Sequence, residues 1–328
     1  HPIHLIDKLA TSENSIRFFA INFFVEYSEN PTDSVINFTT LDPESTTSYI
    51  MFNGVLQYDD VLTLDNGNYG YDLFKNGYDG FYLADTGKFL SNAPSTQYAR
   101  LTDYGTLPFF NFLPSSVDGV ANIVLTYYWD GGSSTETVIQ SWTAGGVTYF
   151  TTPVFQYLLY FGAFPANLQN WSSTFASAIT NGLTHYTVYA NSDLGTTSQI
   201  TTIEIICPNE RGYEGIRLTW LNQWGTWDYY TFNMKSTRSI STKRIPYTQL
   251  GGTWNEGAFK ISGYKGGKKN FRVNSTEKIQ VNSDFVSEAD SQWFEELVNS
   301  QEVYILNGYD AAETPPYNTM TNKYVEPV

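Results

Sequence analysis

Gly215-Ile216-Arg217-Leu218-Thr219-Trp220-Leu221-Asn222-Gln223-Trp224-Gly225-Thr226-Trp227-Asp228-Tyr229-Tyr230-Thr231-Phe232 is the stretch on which the fold turns. Two runs of β-branched and aromatic residues, 216–220 and 226–232, flank a short polar break. Such side chains fit a pleated, half-buried surface. Asn222 and Gly225 permit the backbone angles that reverse a chain. The stretch therefore reads as an antiparallel hairpin. Strict alternation puts Trp227 and Tyr229 on one face and Thr226, Asp228 and Tyr230 on the other. Trp220, Trp224 and Trp227 are expected to anchor the hairpin under a helix that carries Trp293 and Phe294.

That helix is announced by Ser287-Glu288-Ala289-Asp290, the form of a capping box, with acidic residues in the first turn. Helical spacing over 288–299 places Trp293, Phe294, Leu297 and Val298 on one face. The run Val303-Tyr304-Ile305-Leu306 then reads as a strand, so the helix is expected to lie on a sheet. A weaker helix is expected near 172–179, kept short by Phe164-Pro165 before it and Asn181-Gly182 after it.

Outward from this region, hairpin punctuation recurs. Asn-Gly stands at 53–54, 66–67, 76–77, 181–182 and 307–308, and Asp-Gly at 79–80, 118–119 and 130–131. Strand-like runs lie between, among them 16–24, 123–129, 137–142, 154–161, 184–190 and 200–206. In 184–190, Tyr186, Val188 and Ala190 share one face, and His185, Thr187 and Tyr189 the other. Short strands between frequent turns predict a mainly β chain of two or three sandwich- or barrel-like modules, with one short helix packed on the C-terminal sheet. The expected modules are 1–105, 106–208 and 209–328, with 104–116 as a crossover and 207–215 as a linker.

Composition supports a packed protein. Of 328 residues, 41% are hydrophobic and 17% aromatic, which excludes default disorder. The single Cys207 excludes an internal disulfide framework and a cysteine-rich zinc site. No run of 18 apolar residues reads as a membrane-spanning helix, and no signal peptide is visible.

The net charge of −15 is unevenly placed. Residues 1–210 carry 5 basic and 20 acidic side chains, residues 235–278 carry 10 and 2, and residues 279–328 carry 1 and 9. Lys235, Arg238, Lys243, Arg244, Lys265, Lys268, Lys269 and Arg272 make 233–275 a basic arm, rich enough in Gly, Ser and Lys to read as a long extended loop. Such an arm suits docking on the acidic part of a neighbouring subunit, becoming ordered on assembly. Its interleaved aromatics also suit nucleic acid, which the acidic overall balance argues against. A solvated loop with lysines blunting strand edges is the plainer alternative. Deleting 258–270 is expected to abolish assembly and leave the monomer folded.

Signals for chemistry are weak. The histidines are His1, His4 and His185; the first two sit at a terminus and the third in a strand pattern, so no Ser or Cys nucleophile has an evident base. The acidic pairs Asp59-Asp60 and Glu295-Glu296 are the candidates for glycosidase carboxylates. Neighbours on a strand point to opposite faces, and the helical pair reads as a solvated side. Asp65-Asn66-Gly67-Asn68 resembles a hard-cation turn but fits no twelve-residue calcium loop. The tryptophans and tyrosines of 220–230 suit either a sugar platform or core packing, with packing favoured. No catalytic residue, cofactor or metal site is assigned.

The stretch 215–232, with its Leu-Asn-x-x-Gly turn and Asp-Tyr-x-Thr-Phe ending, resembles a pattern in virion structural proteins of marine and gut tailed bacteriophages. The similarity continues through Lys235-Ser236-Thr237-Arg238-Ser239, Gly251-Gly252-Thr253-Trp254-Asn255 and 278–306, and more faintly includes Leu101-Thr102-Asp103-Tyr104-Gly105-Thr106-Leu107. Its main part covers about 205–306. The resemblance implies a non-enzymatic component of a phage tail, tail hub or baseplate, present as rings of identical copies against neighbouring virion proteins. Another virion position (head–tail connector, ring or capsid-associated protein) and a carbohydrate-recognising host-binding module remain open beside it. Proteins of that group continue past the counterpart of Val328 with further strands.

Overall fold

The computed structural model describes residues 89–110, 120–139, 158–192, 197–206, 212–255, 257–261, 266–283, 285–306 and 325–328, with shorter stretches at 9–12, 16–20, 24–28, 32, 37–40, 48–54, 142–144 and 147–149. Across these residues the chain is mainly β, with several separate sheets and three helices.

Five short strands come first: β1 (Leu9–Ser12), β2 (Ile16–Ala20), β3 (Phe24–Tyr27), β4 (Asn37–Thr40) and β5 (Ser48–Phe52). β2 pairs with β5 and β3 with β4, both antiparallel. Next come β6 (Thr96–Ala99), β7 (Leu107–Phe110), β8 (Val120–Trp129), β9 (Gly132–Ile139), β10 (Trp142–Ala144), β11 (Val147–Tyr149) and β12 (Leu158–Phe161). Two helices, α1 (Pro165–Gln169) and α2 (Ser173–Thr180), precede β13 (Leu183–Ser192) and β14 (Thr201–Ile205). The central sheet has the order β6-β14-β13-β8-β9, and β1-β12-β7 form a second sheet.

Local chemistry explains these elements. Asp130-Gly131 closes the β8–β9 hairpin with Gly131 at φ 85°, and Gly182 stands at φ 87° where α2 gives way to β13. In β13, Tyr186, Val188 and Ala190 are buried while His185, Thr187 and Tyr189 are half-exposed, the expected alternation. Ser172 caps α2 by accepting from the Phe175 amide at 2.9 Å. α1 was not anticipated, because Phe164-Pro165 reads as a break. Pro165 instead stands in the first turn of the helix, where its missing N–H costs nothing and its φ is already helical. The buried sheet face and both helices share one core that includes Tyr127, Phe164, Leu168, Phe175, Tyr186 and Val188.

The C-terminal part adds β15 (Ile216–Leu221), β16 (Trp227–Phe232), β17 (Thr237–Gln249), β18 (Gly252–Asn255), β19 (Ala258–Ile261) and β20 (Gly267–Gln280). Helix α3 (Glu288–Asn299) follows, then β21 (Val303–Leu306) and β22 (Val325–Pro327). β16-β15-β21-β22 form a sheet. The capping box of α3 is complete: Ser287 Oγ accepts from the Asp290 amide, and Asp290 accepts from the Ser287 amide. The buried side of α3 is Trp293 and Glu296, with Leu297 half-buried. Val298, expected on that side, is 82% exposed.

Two expected module boundaries do not coincide with breaks in the structure. β6, from 1–105, pairs in parallel with β14 from 106–208. β1 likewise pairs with β12. Tyr229, from 209–328, belongs to the same core as Tyr186 and Phe175. The first two stretches thus share sheets, and all three contribute to one core.

Candidate functional site

The hairpin β15–β16 is buried on both faces. Paired residues Trp220/Asp228, Leu218/Tyr230 and Ile216/Phe232 turn to α3, and Leu221/Trp227, Thr219/Tyr229 and Arg217/Thr231 turn to the large core. A two-sided burial explains why both strands read as almost continuous aromatic and β-branched runs. Trp220 is fully buried and packs 4.9 Å from Trp293, while Tyr230 lies 4.7 Å from Phe294. Trp227 does not lie under the helix as expected. It is half-buried on the opposite face, 5.6 Å from Tyr304, and Tyr230 takes the place under α3.

The turn is held by Asn222. Its Oδ1 accepts from the Trp224 amide (3.1 Å), the Thr226 amide (3.1 Å) and Thr226 Oγ1 (2.9 Å). Its Nδ2 donates to the Leu90 carbonyl and to Asp228. Trp224 is buried, and Gly225 has φ 69° with Asn53 against it. Asp228 gathers three donors: Trp293 Nε1 at 2.7 Å, Asn222 Nδ2 at 3.2 Å and Ser91. Burial nevertheless pushes its carboxyl up to about 6.

The core side holds an ionic cluster that the sequence did not single out. Arg217 and Asp103 are 2% and 1% exposed in their side chains and 3.5 Å apart. Arg217 donates to the Tyr104 carbonyl and to Thr231, and lies 4.6 Å over the Phe164 ring. Asp103 also accepts from Thr231 and from Arg100 through its amide, Nε and Nη2. Burial would raise the Asp103 carboxyl, but Arg217 and Arg100 together hold it below the ordinary carboxylate range. The one signal in the sequence was Arg217 itself, a charge within an otherwise apolar strand.

The basic arm is a ribbon and not the loop expected from its Gly, Ser and Lys content. β17 and β20 pair antiparallel from Thr237/Gln280 to Gln249/Gly267, with a bulge at Phe271, and β18–β19 form a small hairpin at the tip. Thr, Ile and Val in alternation favour the paired form. At about 3.3 Å per residue the ribbon extends roughly 40 Å. Almost every residue of β17 and β20 is exposed. Only the base is covered, where Ile279 packs with Ile216, Leu218 and Leu297.

Cross-strand register separates the two faces. Lys243, Ile245, Tyr247, Lys269, Arg272 and Lys278 share one, which carries no acidic residue. Arg238, Ile240, Arg244, Lys268, Val273 and Glu277 share the other. Arg238 makes long ion pairs with Glu214 (3.5 Å) and Glu277 (3.9 Å). Lys235 is exposed just before β17. Lys265 lies outside the described residues. Apolar side chains accompany the charges: Ile240 is 69%, Phe271 80%, Leu250 83% and Ile261 78% exposed.

The other candidates are scattered. His185 stacks on Tyr128 at 4.7 Å on the central sheet. Glu295 is exposed, but Glu296, expected on the solvated side, is buried and accepts from Asn92 Nδ2. It adjoins a recess of about 10 Å³ lined by Asn222, Asn299 and Ser300, space for one water. His1, His4, Asp59-Asp60, Asp65–Asn68 and Cys207 lie outside the described residues. Among the described residues, no three His, Cys, Asp or Glu side chains gather as metal ligands would, and no helix is long and apolar enough to cross a membrane.

Against known proteins, the chain matches no family model, no curated protein and no solved structure.

Proposed function

We propose that this chain is a non-enzymatic structural subunit that assembles with copies of itself. The arm is the observation that carries this reading. A monomer has little reason to hold out a roughly 40 Å ribbon with Ile240, Leu250, Ile261 and Phe271 facing water. An assembly covers them. Residues 1–210 and 279–328 are strongly acidic, so a basic arm on an acidic body is complementary to another copy of the same chain.

Within that class we assign the subunit to the virion of a tailed bacteriophage, in the tail or tail hub, as a ring. Two phrases that resemble such proteins, 101–107 and 215–232, touch one another: Asp103 pairs with Arg217, and the Thr106 and Tyr229 hydroxyls lie 3.0 Å apart. They therefore form one packing unit, which suits a shared structural core. A sugar platform has less support, because Trp220, Trp224, Tyr229 and Trp293 are buried. Electron microscopy of the purified chain is expected to show closed rings of one size, and labelled antibody is expected to decorate the tail of the phage. Monomers across the whole concentration range overturn the assembly reading, and decoration of heads moves the ring to another position.

A further inference from the structure

We infer that the arm of one copy docks on the outer face of α3 in the next copy. The inference rests on the assembly reading above and names the surface that receives the arm.

The outer face of α3 is acidic and apolar. Glu288 and Glu295 are both exposed and seven residues apart, two turns along one side, and Glu302 is exposed just past the helix. Between and beside them lie Val298, 82% exposed, and Phe285, fully exposed. The helix has no basic residue at all. The arm offers the complement, with Lys243, Arg272 and Lys278 on a face free of acids and Ile245 and Tyr247 among them. Spacing agrees as well. Glu288 and Glu295 are about 10 Å apart along a helix. Basic side chains recur every 7 to 13 Å or so along the ribbon face.

The chain's own arm does not cover this face. Its base, at Ile279, packs on the inner side of the helix with Leu297, and both strands are exposed from there to the tip. The seat on α3 is thus open to a second molecule. Arm and seat are different surfaces of the same chain, so their contact is head-to-tail, which closes into a ring when the rotation allows. Nucleic acid is a poorer occupant. It would neutralise the lysines, but the acidic body would repel its phosphates.

Two charge-reversal variants test this. Lys243→Glu with Arg272→Glu reverses two charges of the docking face of the arm, and Glu288→Lys with Glu295→Lys reverses two charges of the seat. All four positions are exposed, so circular dichroism should show both variants folded. In sedimentation velocity, each variant alone is expected to need at least ten times more protein than the wild type to assemble. An equimolar mixture is expected to assemble like the wild type, since reversed arms then meet reversed seats and native arms meet native ones. An assembling wild type with unaffected variants, or with a mixture that fails, overturns the seat but not the assembly reading. A wild type that stays monomeric overturns both, as does duplex DNA binding lost only in the arm variant.

Discussion

Gly225 is the residue on which the hairpin turn depends for two separate reasons. Its φ of 69° strains any other L-residue, and a Cβ there would stand 2.2 Å from the Asn53 carbonyl oxygen. Gly225→Ala is expected to cost more than about 1 kcal/mol in urea unfolding, because the neighbour is backbone and cannot swing away. Asp228 sets a pH dependence of definite sign. Burial holds its folded carboxyl at about 6, above the ordinary 3.8. Between those values the folded chain keeps a proton that the unfolded chain has lost, so stability falls as pH rises from about 4 to 6 and is level above. The span corresponds to about 3 kcal/mol. Asp103 runs the other way: its lowered carboxyl contributes stability above the ordinary range, lost as pH falls through its folded value. Asp228→Asn is expected to remove the loss between pH 4 and 6 and to lower stability at pH 8, where an amide would set a donor against Trp293 and Asn222. Unfolding midpoints measured at pH 4, 6 and 8 check both statements.

At the scale of elements, what the sequence revealed depended on how local the cause was. The capping box at Ser287, the hairpin turn at Asn222–Gly225 and the alternation in 184–190 are written within a few neighbouring residues, and each could be read directly. The arm was legible as basic but not as a ribbon, since its pairing joins residues up to 43 positions apart, Thr237 with Gln280. Glu296 shows the same limit. Its position on α3 was readable, but its burial depends on Asn92 from the far end of the described core. The ribbon changes how the arm should be cut. Removing 258–270 would leave Tyr247, Thr248 and Gln249 without partners, because their mates are Lys269, Lys268 and Gly267. Removing 246–271 and closing Ile245 to Arg272 with Asn-Gly trims both strands in register. That variant is expected to keep the unfolding free energy of the wild type within about 0.5 kcal/mol, as for surface changes, and to assemble more weakly in sedimentation, since Tyr247 and Lys269 leave the docking face while Lys243, Arg272 and Lys278 stay.

For the whole molecule, pairing and packing cross the expected divisions at 105/106 and 208/209, because an apolar stripe shows that a strand has a buried face without showing what buries it. Leu90 and Thr106 belong to the first two expected modules, yet Asn222 donates to the Leu90 carbonyl and Tyr229 meets the Thr106 hydroxyl. The hairpin β15–β16 sits between the large core and α3, so neither layer is complete without it. Arg217 makes this an energetic statement. Replacing it with Ala strips the buried Asp103 of one of its two cationic partners and is expected to cost about 3 to 5 kcal/mol. The described body should then unfold as one unit. In urea, tryptophan fluorescence, reporting on Trp129 and Trp171 as well as Trp220 and Trp293, is expected to follow the same curve as far-ultraviolet circular dichroism. The segment 209–328 expressed alone should show no cooperative transition, because Trp227 and Tyr229 would lose the core against which they pack. Two separated transitions in the full chain, or a cooperative one in the isolated segment, would restore the boundary at 208/209 and make the buried Arg217–Asp103 pair a contact between independent domains.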